Sequence, residues 1–117
     1  LTNSSRKLAR NLERAGNPRP PGHQAHHIVP DNEGRFKEAI EARKILKDFD
    51  IGINGADNGV WLPGKPGIGE GVSHPGLHSK KYCRWVRDCL RDAKSRQEAI
   101  EIFQGMGRRL SEGEYFK

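Results

Sequence analysis

The strongest limit on how this chain folds is its shortage of core-forming side chains: Leu, Ile, Val and Phe make up only about a fifth of its 117 residues. That is close to the ~20% level at which a highly charged chain stays disordered. So small and thin a core draws folding energy from elsewhere, from disulfides, a metal or a partner. The length fits one domain over residues 1–117, since domains commonly run to ~100–150 residues, and leaves no room for a separate cofactor domain.

Disulfides do not fill the gap. Cys83 and Cys89 are the only cysteines, and both fall in a helical pattern. Six residues at ~1.5 Å rise place them ~9 Å apart along the axis and on different faces, beyond bridging distance. They are expected as free thiols, Cys89 buried and Cys83 partly exposed. This argues against a disulfide-stapled secreted scaffold. No segment approaches the ~20 consecutive apolar residues of a membrane span, so no membrane partner is expected. The chain begins at Leu1 with polar residues after it, and we expect it to be cut from a larger polypeptide.

Apolar spacing and turn residues divide the chain into short pieces. Leu8, Ala9, Leu12 and Ala15 predict a first helix ending at Gly16, and the proline-rich run 17–22 predicts an extended connector. His26–Pro30 reads as a strand, residues 34–49 as a second helix, and Asn54-Gly55 as the turn that follows it. A second strand is expected over 58–63, and then a loop rich in glycine and proline to residue 76. Tyr82, Trp85, Val86, Cys89, Leu90 and Ala93 give the clearest helical stripe, over 77–93. Ser95 with Glu98 reads as a capping box for a last helix to about Leu110. The expected class is α+β, a mainly helical small domain with two brief strands flanking a helix. Trp61 and Trp85 are expected in the core, and packing is the favoured role for Tyr82.

Lys and Arg outnumber Asp and Glu by 21 to 15, which favours a polyanionic partner. The excess sits in two segments, 1–23 and 61–94, with an acidic stretch between them. Lys80, Lys81, Arg84 and Arg87 line one face of the third helix and are the candidate phosphate contacts, with Arg19 and the first helix second to them.

All five histidines fall in two clusters, His23, His26 and His27, then His74 and His78. Placed at the mouth of the third helix, with Pro75 in its first turn, His74 and His78 would project from one face and converge on one metal ion. The adjacent His26 and His27 point to opposite faces of a regular strand, so both serve one site only if the strand ends or bulges there. His23 reads as a surface residue. Asp31 and Asp57 are candidates for extra ligands or for acceptors behind the ligands, outside the main pattern.

Three segments in this order, Ala25-His26-His27-Ile-Val-Pro30, Asn58-Gly-Val-Trp-Leu-Pro63 and His74-Pro-Gly-Leu-His78 with Tyr82 behind it, resemble the AHH family of the HNH/endonuclease VII superfamily. These nuclease domains occur mostly at the C-termini of bacterial polymorphic toxins. The resemblance covers residues 25–82, with an unusual 30 residues between His27 and Asn58.

The resemblance implies a ββα-metal core. His26, His74 and His78 would be metal ligands, His27 the general base, and Asn58 the residue holding His27 by a ring nitrogen. It further implies a metal-dependent endonuclease that cuts DNA to a 5′ phosphate and a 3′ hydroxyl. The domain would act as a toxin, secreted or injected as part of a larger protein, in the cytoplasm of the target cell. A cognate immunity protein would protect the producer, and charge complementarity makes an acidic one the expectation. Three imidazoles favour one zinc or other transition-metal ion, with magnesium as the alternative. The competing readings are an RNase with the same machinery and a metal-stabilised module that binds nucleic acid without cutting it.

Overall fold

The structure is a computed structural model that describes residues 3–72, 74 and 77–114. Helix α1 (Asn3–Arg14) buries Leu8, Ala9 and Leu12 at helical spacing. Gly16 follows it at φ +86°, and the Asn17 and Gly16 N–H groups donate to the Leu12 and Glu13 carbonyls. These two bonds close the helix as a Schellman motif, which needs a residue in the left-handed region where Gly16 stands.

After the proline-rich connector, β1 (His23–His27) pairs antiparallel with β2 (Gly59–Pro63), His23 facing Pro63 and His27 facing Gly59. The first strand was expected three residues later, over His26–Pro30. The ladder stops at His27 because Asn58, just before β2, takes over: its carbonyl accepts from Ile28 N–H and its side-chain oxygen from Val29 N–H.

Alternation gives the hairpin two faces. Ala25, His27, Gly59 and Trp61 share the face that α1 covers, where Leu8, Ala9, Leu12, Ala25 and Trp61 form a small apolar cluster. Gly59 makes this docking possible, since a Cβ there would stand 2.7 Å from Leu8 Cδ1. His26, Val60 and Leu62 share the other face. Leu62 joins the main core with Ile28, Val29 and the buried sides of α2 (Lys37–Asp48), α3 (Lys80–Arg91) and α4 (Arg96–Ser111). The architecture is α+β, as expected.

Helix α3 starts later than its apolar stripe predicts, because Ser79 caps it by accepting from Tyr82 N–H. His74 and His78 therefore precede the helix and do not share one of its faces. The expected place of Pro75 in a first helical turn lies outside the described residues. The loop from β2 is tied back at two points: His74 N–H donates to the Pro63 carbonyl and Val72 N–H to the Leu110 carbonyl. These bonds hold His74 beside the end of the hairpin. At the head of α4, Ser95 Oγ accepts from Glu98 N–H as the capping residues predict.

Both cysteines are free, with the expected exposures reversed: Cys83 is buried and Cys89 partly exposed. Cys83 is buried in the main core together with Val86 and Leu90, and burial pushes its thiol up to about 11. Among the described residues no helix is long and apolar enough to cross a membrane.

Candidate active site

Strand β1 carries His26 into the interior, where the side chain is 0% exposed. The Tyr82 hydroxyl lies 2.9 Å from His26 Nε2 and donates its single proton to the Ile28 carbonyl. The phenol oxygen is then left to accept, so His26 Nε2 is the donor and the lone pair sits on Nδ1. Tyr82 thus both packs in the core and fixes a tautomer.

The Nδ1 lone pair of His26 faces Nδ1 of His74 at 3.1 Å, where it accepts from it. His78 stands next to them, its ring centroid 4.8 Å from that of His26. Its Nε2 lies 3.0 Å from the His27 carbonyl, which can only accept, so His78 also carries its proton on Nε2 and its lone pair on Nδ1. The loop thus brings together the three histidines that an i, i+4 helical pair was expected to supply.

Burial pushes all three imidazoles below their ordinary basicity, His26 furthest. Repulsion from the neighbouring imidazoles adds to this for His26, and the bond to the His27 carbonyl partly opposes it for His78. All three are neutral at pH 7, the form in which imidazole ligates metals.

Among the described residues, no three His, Cys, Asp or Glu side chains stand together in ligating geometry. The donor set nevertheless fits a transition ion. Bonds of ~2.0–2.1 Å at a tetrahedral angle separate two ligating nitrogens by about 3.3 Å, near the 3.1 Å between His26 and His74. The backing of His26 by Tyr82 and of His78 by a carbonyl is the outer support that metal-binding imidazoles usually have.

His27 follows the strand's alternation with no bulge and points to the α1 face, 4% exposed. Its Nε2 lies 2.8 Å from Asn54 Oδ1 and 3.2 Å from Ser4 Oγ. It still stands close enough to be electrostatically coupled to His26, His74 and His78.

Asn58 does not hold His27. Its amide nitrogen donates to the Val29 and Ile53 carbonyls and its oxygen accepts from Val29 N–H. Held in the turn Ala56–Asn58 and fully buried, it ties the two strands' entry and exit segments together. The expectation carried by the motif is corrected here: the asparagine on the His27 ring is Asn54, which the sequence showed only as a turn residue.

The basic face of α3 divides. Lys80 lines a cleft of about 470 Å³ together with Arg35, Phe36, His74, His78 and Ser79. Lys81 is exposed. Arg84 Nε lies 3.9 Å from the carboxylate of buried Glu38. Arg87 is only 15% exposed and bonds Glu41 and Asp88, so its place is in an ion-pair network between α2 and α3. Arg35 had no sequence signal. It forks onto Glu33 and holds that carboxyl down to about 2.

His23 is partly exposed and its ring Nδ1 lies 2.9 Å from the Pro21 carbonyl, Arg19 stacks over Trp61, and Asp31 acts on His78 through its charge. A larger groove of about 690 Å³, lined by Asp57, Trp61, Phe103 and Arg108, lies away from the His26–His74–His78 cluster.

The model of a nuclease family described as AHH, of the HNH/ENDO VII superfamily with conserved AHH, matches residues 8–109. The match runs beyond the three motifs to take in most of α1 and α4. No curated protein and no solved structure matches the chain.

Proposed function

The chain belongs to the AHH nuclease family of the HNH/endonuclease VII superfamily, and from that membership we propose that it is a metal-dependent endonuclease of DNA with His27 as its general base. The observation that carries the reading is the paired orientation of His26 and His78. Each has Nε2 engaged by a fixed acceptor and Nδ1 left as a lone pair, with His74 Nδ1 opposite the first.

His26, His74 and His78 would hold one divalent ion, zinc or another transition metal before magnesium. Bound there, the ion would neutralise charge on the phosphate and stabilise the departing 3′ oxygen. His27 takes a proton from the attacking water as its oxygen bonds to phosphorus and the P–O3′ bond breaks, and the departing 3′ oxygen takes a proton from solvent water, leaving a 5′ phosphate and a 3′ hydroxyl. Lys80, beside His74 and His78 in the same cleft, is placed to contact phosphate oxygens, while Arg35 lines that cleft with its guanidinium already forked onto Glu33. Lys81 remains a candidate on the same helix, and Arg84 and Arg87 take a smaller part because of their carboxylate neighbours.

In the cell the domain is proposed to be the C-terminal toxin part of a larger secreted or injected bacterial protein, acting in the target cytoplasm, with an acidic cognate immunity protein in the producer. Family membership and the net charge of +6 support this role.

The test is cleavage of supercoiled plasmid and of total RNA, with and without chelator and added Zn²⁺, Ni²⁺ or Mg²⁺. Cleavage of plasmid that stops on chelation and returns with metal supports the proposal. Cleavage of RNA alone reassigns the substrate, and failure to cut either under every ion leaves a module that binds without cutting.

A further inference from the structure

We propose that Asn54 and Ser4 are positioning residues for His27, holding its proton on Nε2 so that Nδ1 is the basic nitrogen, and that α1 is thereby part of the active site. The proposal rests on the reading of His27 as base and adds which atom acts and what fixes it.

Three polar atoms meet at one point. An amide oxygen has lone pairs and no proton, so Asn54 Oδ1, at 2.8 Å, makes His27 Nε2 the donor. The Ser4 hydroxyl donates to the same Oδ1 at 2.6 Å, and its oxygen lies 3.2 Å from Nε2, where it accepts. Each hydrogen in the triangle then has an acceptor. The opposite tautomer would set a lone pair on Nε2 against a lone pair on Oδ1 and leave the Ser4 oxygen without its donor. Holding a base in one tautomer through an acceptor on its far nitrogen is an established way to direct the other nitrogen at the reacting proton.

The triangle is itself held. Asn11 Nδ2 donates to the Asn54 carbonyl at 2.8 Å, and Asn58 Nδ2 donates to the carbonyl of Ile53 just before it. The loop between α2 and β2 is thus clamped by α1 on one side and by the β2 entry on the other. Ser4, Leu8 and Asn11 lie three or four residues apart on one face of α1. Leu8 packs at Gly59, the residue opposite His27 in the ladder. The apolar contact that docks the helix therefore also sets Ser4 against the His27 ring.

The direct test is the position of the His27 ring proton, read from long-range ¹H–¹⁵N correlations of the ¹⁵N-labelled full chain at pH 8, with kcat and KM for plasmid cleavage measured in parallel. The expected result is a proton on Nε2 in the wild type and in Asn54→Asp, whose carboxylate still accepts. In Asn54→Leu the expected result is a mixture of tautomers, with kcat about 10- to 100-fold lower and KM within about twofold, at unchanged circular dichroism. Ser4→Ala should keep the tautomer and lose less than about tenfold.

A proton on Nδ1 in the wild type overturns the proposal, as does an unchanged tautomer and kcat in Asn54→Leu. Should that variant fail to fold, the wild-type and Asn54→Asp spectra decide alone. The two readings fail separately: wild-type turnover by His27→Ala would remove the base assignment, while the ring-proton spectrum judges the positioning role without any turnover.

Discussion

Two consecutive residues of one strand, His26 and His27, differ little in burial yet meet opposite kinds of surroundings. His26 faces an interior of rings, with Tyr82, His74 and His78 around it. His27 faces polar groups borrowed from α1 and from the loop before β2. The first arrangement keeps a cluster of imidazoles neutral and turns lone pairs inward. The second gives one imidazole a fixed donor contact. Strand alternation separates the two roles at the point where β1 ends, and the His27 carbonyl still bonds His78 across the boundary.

The change that should damage the ring-lined face most is His26→Ala. It removes a fully buried side chain, leaves the Tyr82 oxygen without a donor and deletes a proposed ligand. The unsatisfied group alone costs about 1–3 kcal/mol. We expect a lower melting temperature and no further drop on adding chelator, whereas the metal-loaded wild type should drop; thermal denaturation with and without chelator checks both.

Acid should act on the same face. The basicity of His26 is lowered in the folded chain, so below its unfolded value of ~6.5 the unfolded chain binds more protons and stability falls as pH falls. It is fully present above that value. The slope for His26 is about 1.4 kcal/mol per pH unit until the folded site titrates, with smaller additions from the less buried His74 and His78. Urea midpoints of metal-free protein at pH 7.5 and 5.5 measure it, and equal midpoints would show that the cluster does not remain neutral.

Much of this comparison can be read from sequence and part of it cannot. Helix spacing, Gly16 and Ser95 mark elements because their signals are local. The His74–His78 pair was legible as a pair but not as a loop, since an i, i+4 spacing suits a helix until the cap at Ser79 is seen. Asn58 stood out through its motif, yet its amide is turned onto Val29 and Ile53. Asn54, Ser4 and Arg35 carried no periodic signal. Asn54 and Ser4 lie 50 positions apart and meet only because α1 docks on Gly59.

Finer changes sharpen the contrast. Tyr82→Phe keeps the packing of the ring-lined face but removes the hydroxyl that fixes the His26 tautomer. It should cost about 0.5–1.5 kcal/mol, read as a lower urea midpoint, and weaken metal affinity by about tenfold in a competition titration. The smallest effects belong to the basic rim. Lys80→Ala should reduce the salt slope of DNA binding by about one, and Arg87→Ala, already paired with Glu41 and Asp88, should leave it unchanged within error. Fluorescence anisotropy over a salt series distinguishes them.

The division of labour between the neighbouring histidines is tested most directly by measuring bound metal and plasmid cleavage together in His26→Ala and His27→Ala. The account predicts that His27→Ala retains its metal and loses about 10²–10⁴-fold in kcat, while His26→Ala loses both metal and cleavage. A His27→Ala protein that holds metal and cuts at the wild-type rate, or a His26→Ala protein that keeps its metal, would contradict it.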